Sequence, residues 1–413
     1  MSTPARGVEP QSQASSRASS ASTPRAAPAP SGVTFDLVTT RSGFDALEGA
    51  WNDLFARAGR DAHVFQTFNW LWHWANHFLA DPGTDGTQLA IVTAHADGRL
   101  VMAWPLVTEA VGPMTRLSWM GEPVSQYGDL LIEERADKAE VLAAAWDFVV
   151  RRTGAGVVEL RKVRAGSNVA PLLAAIGATV TADLTAPYLA LSSAPSLAEY
   201  EKRYSSSSRR NRKRHWRRLE ERGAASVVSH DSGLEAAQLA GEALRLKLAW
   251  LSARGLVSPA LSDPRTARFF ADVARADVRP AGCYVSAILS DGRPVALGIG
   301  VDCKGRSVLH VAAYDLGYEK VGAGGLIIES SFRRAFDRGM GVFDLMAPGD
   351  AYKLEWADDA TAVCDWAVPI SVLGRAYSTL YLGVLKSAVK RGLDAMPVGL
   401  RRGLASAMTR RSG

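Results

Sequence analysis

The chain has 413 residues, 47% of them hydrophobic and 22% charged, with a formal net charge of +6. This length and apolar content can bury substantial cores and favour two domains over one, while no run of about 18 apolar residues is present to cross a bilayer. Cys283, Cys303 and Cys364 show neither C-x-x-C spacing nor an even count, so neither a disulfide framework nor a zinc knuckle is suggested; with no secretory-type apolar segment near the start, a cytoplasmic location is expected.

Residues 1–32 are Ser, Ala, Pro, Gln and Arg with almost no large apolar side chain, so a disordered tail is expected. From Phe44 to Phe78 aromatic and aliphatic residues recur three and four apart, as on a core-facing helix. Gln88–His95 and Arg99–Thr108 read as strands of a hairpin turned at Asp97-Gly98. Strands are predicted at Thr115–Met120 and Tyr127–Ile132. A helix over Ala136–Arg152 should end at Gly154, followed by a strand from Val157.

The second half repeats this order. Helices over Leu234–Ala253 and Arg265–Ala276 precede a hairpin, Tyr284–Leu289 and Pro294–Val301, turned at Asp291-Gly292. A strand Ser307–Tyr314, a glycine turn Gly322–Gly325, a helix to Arg338 and a strand Val342–Leu345 follow, and Gly154–Leu160 parallels Gly339–Leu345. Two copies of a mixed α/β sheet with helices on its faces are implied. The lobes are placed at 33–192 and 193–370, with a linker near Thr185–Ser196 and a basic amphipathic helical tail at 371–413. That tail is either a packing helix or a peripheral contact with an anionic membrane.

Three stretches could carry chemistry. Val321–Gly325 sits between strand and helix, so its free amides either cradle a pyrophosphate or simply make the connection; the spacing matches neither a dinucleotide fingerprint nor a P-loop. In Asp344–Trp356, Asp344 is either a base or a structural acid like its counterpart Glu159. Lys353 there either binds an anionic group or pairs with Glu355 or Asp358, and Tyr352 adds a proton donor. The run Lys202–Leu219 is either a solvated basic face or an attractor of RNA, a sugar nucleotide or a membrane surface. His310, with Tyr314 four residues on, is either a satisfied core histidine or a substrate contact. No His/Cys cluster has metal spacing, so no metal is expected.

Phe65–Leu71, the Arg-rich Ser205–Leu219 and Tyr314–Trp356 together resemble the CelD/BcsL-type branch of the GNAT acyltransferases, associated with cellulose and exopolysaccharide synthesis and related to the Fem aminoacyl ligases. The resemblance implies tandem GNAT-like domains, acetyl-CoA or another acyl-CoA as donor, and direct transfer to an amine or hydroxyl of a carbohydrate-related acceptor. It places the donor's pyrophosphate on Gly322, Ala323, Gly324 and Gly325 and lines the acceptor site with the catalytic candidates Asp344, Tyr352 and Lys353, while His310 and Tyr314 are substrate-contact candidates from the strand pattern. It also leaves two alternatives: aminoacyl-tRNA as donor, held by the Arg-rich helix, or a non-catalytic accessory of polysaccharide machinery. Two departures stand out: the glycine turn has no basic residue of its own, and Leu345 replaces the usual aromatic.

Overall fold

The computed structural model describes residues 32–79, 86–278 and 281–380. Most of the tail expected at 1–32, and the tail expected at 371–413 beyond residue 380, lie outside the described residues. Fifteen strands are described: β1 Val33–Val38, β2 Gln88–Leu89, β3 Ile91–Ala96, β4 Arg99–Trp104, β5 Leu106–Val111, β6 Met114–Trp119, β7 Leu131–Ile132, β8 Val157–Arg164 and β9 Thr179–Leu189 in the first half, then β10 Ala225–His230, β11 Ala281–Ser290, β12 Arg293–Cys303, β13 Arg306–Tyr314, β14 Val342–Asp344 and β15 Asp359–Pro369. They form one sheet ordered β1-β3-β4-β7 and a long one ordered β10-β11-β12-β13-β14-β9-β15-β8-β6-β5-β2.

The two halves are copies of one α/β plan, as the repeat implies. In the first, β6 runs parallel to β8 with Arg116 opposite Val157. In the second, β13 runs parallel to β14 with Arg306 opposite Val342. The predicted helices form at Lys138–Thr153, ended by Gly154 in the left-handed conformation, and at Gly233–Ala253, Pro264–Arg275 and Ala323–Asp337.

The first part of the expected linker belongs to a strand. Thr185–Leu189 is the end of the 11-residue strand β9, which lies between β14 and β15 and is antiparallel to both. Strand β15 in turn lies between β9 and β8. Each half thus lends its last strand to the other.

Apolar packing crosses the same boundary. Thr67 caps helix Phe68–Phe78 by accepting a hydrogen bond from the Trp70 amide (3.3 Å). The buried face of this helix sets Trp70 edge-on to Phe269 of the second half, with centroids 4.9 Å apart, and Phe65 and Trp70 flank His310. A single cluster contains Phe44, Trp51 and Trp70 together with Phe269, Phe270, Val285 and Leu297. Of the strand expected over Tyr127–Ile132, only Leu131–Ile132 pairs, with Met102 and Ala103. The segment before it crosses instead to the second half, where the carbonyl of Val124 accepts a hydrogen bond from His310.

Candidate functional site

Strands β13 and β14 pair only over Arg306–Val308 and Val342–Asp344. Beyond Val308 the edge of β13 has no partner on that side among the described residues, and two cavities open along it. The outer one, about 690 Å³, is lined by Gly322, Gly324 and Gly325, by Tyr314 and Trp250, and by Arg212 and His215. The inner one, about 320 Å³, is lined by Val124, Gln126, Lys162, Phe270, His310 and Lys353, among others. Both are lined by Lys247, Ala312, Ile328, Asp350 and Tyr352, so they form one crevice.

The glycine turn is built for close approach. Gly322 is the N-cap of helix Ala323–Asp337 at φ +85°, with no side-chain cap on the first amides. A Cβ there would lie 2.6 Å from His215 Nδ1, and one on Gly324 would lie 3.0 Å from the Tyr314 ring. The Ala323 side chain is buried with Leu219 and Ile288 and lines neither cavity, so Ala323 faces the crevice with no more than its backbone.

The basic group missing from the turn comes from helix Ser206–Glu220. Arg212 on that helix is buried and stacks over Tyr204 and Trp356 at 4.1 and 5.1 Å. Its face carries Trp216, which donates to Glu329, and the buried Leu219. Arg212, Trp216 and Leu219 are four and three residues apart, the signal that this face packs inward.

His310 is the extra residue of a β-bulge: Ile299 faces Val311 and Gly300 faces Leu309, which leaves His310 unpaired. Its Nε2–H donates to Val124 O at 2.6 Å and its Nδ1 has no hydrogen-bond partner among the described residues. Burial among Phe65, Trp70 and Phe270 pulls its pKa down to about 4, so the ring is neutral at pH 7. Tyr314 lines the outer cavity, where its hydroxyl accepts from Trp250 Nε1 (2.8 Å) and donates to Glu319 (3.2 Å).

Lys353 and Tyr352 face the crevice on the short helix Ala351–Leu354. Neither pairing expected for Lys353 forms. Its Nζ donates to the carbonyls of Met346 and Pro348, each at 3.0 Å, and lies 3.9 Å from Asp350. Asp358 is occupied by Arg203, Tyr200 and the Ala190 amide. Burial pulls Lys353 down to about 8 and pushes the Tyr352 hydroxyl up to about 12.

Asp344 is placed otherwise than a base requires. It is 1% exposed and lines neither part of the crevice. Its Oδ1 accepts from Tyr127 OH and the Met346 amide, both at 2.8 Å; its Oδ2 accepts from Arg164 at 2.7 Å and Arg306 at 3.0 Å. Four donors fill the four lone-pair positions of a carboxylate, so none is left for a proton in flight. Glu159 at the matching position pairs with Arg116.

Lys162, Gln126 and Lys247 also line the crevice, and no sequence signal marks them. Lys162 and Gln126 come from the first half and carry no motif, and Lys247 sits in a long helix of ordinary pattern. Burial pulls Lys162 down to about 8 and lowers Lys247 as well. Within the first half the equivalent opening beside β6 is filled by Trp119, whose indole donates to Arg161 O at 3.0 Å. Among the described residues no group of three or more His, Cys, Asp or Glu could hold a metal, and no helix is long and apolar enough to cross a membrane.

The fold is a tandem GNAT-like one, and residues 206–354 match the family model described as the acetyltransferase (GNAT) domain, which is of the acyltransferase kind and generally uses acyl-CoA. Among solved structures, FemX is similar with a TM-score of 0.54 at 9% identity, covering 84% of this chain and 100% of that one. The C-terminal domain of a putative lysylphosphatidylglycerol synthetase from Agrobacterium fabrum is similar at TM-score 0.51 and 12% identity, covering 83% and 97%. L-PGS from Bacillus licheniformis is similar at 0.50 and 14%, covering 83% and 96%. At these identities the likeness is one of fold. No curated protein matches the chain.

Proposed function

We propose that this chain moves an acyl group from an acyl-CoA thioester directly to an amine or hydroxyl of a carbohydrate-related acceptor, in exopolysaccharide or cell-envelope synthesis as the CelD/BcsL-type resemblance implies. The observation that supports it best is the continuity of the crevice, from the glycine turn to Lys353 along the unpaired edge of β13. The donor's pyrophosphate lies on the open amides of helix Ala323–Asp337, with Arg212 and His215 beside it. The thioester then reaches the narrowing where Tyr352 and Lys247 line both cavities, and the acceptor occupies the inner one.

In the transfer step the acceptor's nitrogen or oxygen attacks the thioester carbon while its proton passes to neutral Lys353. Two N–H groups of that amine already donate to Met346 and Pro348, which leaves the lone pair to take the proton. The C–S bond breaks as the new acyl bond forms, and the thiolate takes the proton of Tyr352. Asp344 is a positioning residue: it holds Arg164, Arg306 and the Met346 amide, and so the start of the loop that Lys353 closes.

A second reading has aminoacyl-tRNA as donor. It is favoured by the exposed Arg210, Lys213, Arg214 and Arg217 on the helix that borders the outer cavity. Calorimetry with CoA and with bulk tRNA, at low and at moderate salt, separates the two. Saturable CoA binding with little salt dependence, together with thiol release from acetyl-CoA, supports the first reading. Absence of both, with steeply salt-dependent tRNA binding, supports the second.

A further inference from the structure

The inner cavity is rich in donors and poor in acid. Lys162, Lys247 and Lys353 all line it, and the one carboxylate in its wall among the described residues, Asp350, is half-exposed and 3.9 Å from Lys353. Lys247 is engaged at the junction with the outer cavity, donating to Ala312 O at 3.3 Å and lying over Trp250. Lys353 is held by two carbonyls. Lys162 is the amine brought in by a separate device.

That device is a bulge in β8. Arg161 and Lys162 together face Asp365 of β15, and Lys162 adopts φ +56°, a region few non-glycine residues occupy. The conformation is held from both ends: the Lys162 amide donates to the buried Asp365 carboxylate at 2.8 Å, and the Lys162 carbonyl accepts from the Gly128 amide at 3.1 Å. Strain of this kind in a non-glycine residue persists only where surrounding structure imposes it, and it concentrates at ligand sites. Its effect here is to carry a lysine of the first half into the wall of a cavity of the second.

Glu122 and Asp365 act on the Lys162 charge from a distance, and neither forms an ion pair with it. Glu122 and Asp365 both pair with Arg161, at 3.3 and 3.6 Å. The Lys162 Nζ donates to Gln126 Oε1 at 2.6 Å, with the Ser125 carbonyl farther off at 3.5 Å. Because that oxygen is used, the Gln126 amide nitrogen remains as a further donor in the same wall. A neutral molecule would leave a buried ammonium facing an amide, whereas carboxylate or phosphate oxygens would accept from both groups.

We propose that the acceptor carries an anionic oxygen group, a carboxylate or a phosphate, and that Lys162, with Gln126, selects it. This rests on the inner cavity being the acceptor site.

The test uses the full chain. Inorganic phosphate is titrated calorimetrically, and acetyl-CoA turnover is followed by thiol release with two matched pairs of acceptors, glucosamine against glucosamine 6-phosphate and β-alanine amide against β-alanine. Phosphate should bind wild type, and K162M and Q126L should each weaken it by about tenfold or more, with K162R intermediate. The anionic member of a pair should be preferred by about tenfold in kcat/KM, and K162M should erase that preference through KM. Q126L leaves the strained position untouched and so reads the site even where K162M fails to fold. Phosphate binding preserved in both K162M and Q126L, or a preference for the neutral acceptors, would overturn the proposal. Thiol release with neutral acceptors and no phosphate binding would sink the anion site and leave the transfer reading intact. Phosphate binding that depends on Lys162, with no thiol release for any acceptor, would do the reverse.

Discussion

A lysine serves as a base near neutral pH only if its surroundings hold it neutral, and for Lys353 the cause is burial, which pulls it down to about 8. The proposed mechanism then requires kcat/KM to rise with pH and level off above about 8. K353M should lose that rise and fall by about 10²–10⁴-fold. The same shift affects stability with a definite sign. Between about 8 and the ordinary lysine value of 10.5 the unfolded chain binds more protons than the folded one, so Lys353 adds stability as pH rises through that window. Urea unfolding of wild type and K353M at the two ends of the window checks it, and a rise that persists undiminished in K353M would refute the assignment. Asp344 calls for the opposite experiment. Removing it leaves Arg164 and Arg306 without their shared partner, and D344A should cost about 3–5 kcal/mol in urea unfolding. D344N, where it remains folded, should keep the pH profile set by Lys353. If D344N instead abolishes that profile, Asp344 is the base after all.

At the scale of elements, the glycine turn makes the sharpest demand. Gly322 combines a left-handed backbone with contact to His215, so G322A strains the turn and pushes a methyl group into the ring. Calorimetry should show CoA affinity falling about tenfold or more, and unchanged affinity would remove the turn from the donor site. This element was legible because its signal is local: consecutive glycines between a strand and a helix can be seen without knowing what packs nearby. Tyr352 and Lys353 were legible for the same reason. Arg212 could have been found, since Trp216 and Leu219 mark its helix face as the inward one. Lys162 and Gln126 could not. Their place in the cavity depends on a bulge opposite Asp365 and on a crossing loop, and both are consequences of pairing between residues some 200 positions apart. Asp344 was seen but could not be assigned, because its arginines come from two different strands, β8 and β13.

The whole molecule is a duplication whose copies are no longer separable. In the order β14-β9-β15-β8, strands of the two halves alternate, so pulling the halves apart would break the pairings of β9 with both β14 and β15 and of β15 with β8. This explains why the first half can supply Lys162 to the crevice although its own opening is filled by Trp119: the exchange fixes β8 rigidly to the second half through β15. It also predicts cooperativity. Val363 is fully buried at the centre of β15 and faces Arg164 on one side and Leu184 on the other. Proline there removes an amide from the middle of a two-sided strand and should cost about 3 kcal/mol or more. Under hydrogen exchange, V363P should lower protection together in helix Lys138–Thr153 of the first half and in β11 and β12 of the second. None of these elements pairs with β15, so a common loss means that the exchanged strands couple the halves into one folding unit. Loss in one half with full protection in the other would mean that each half folds on its own and that the exchange only docks them.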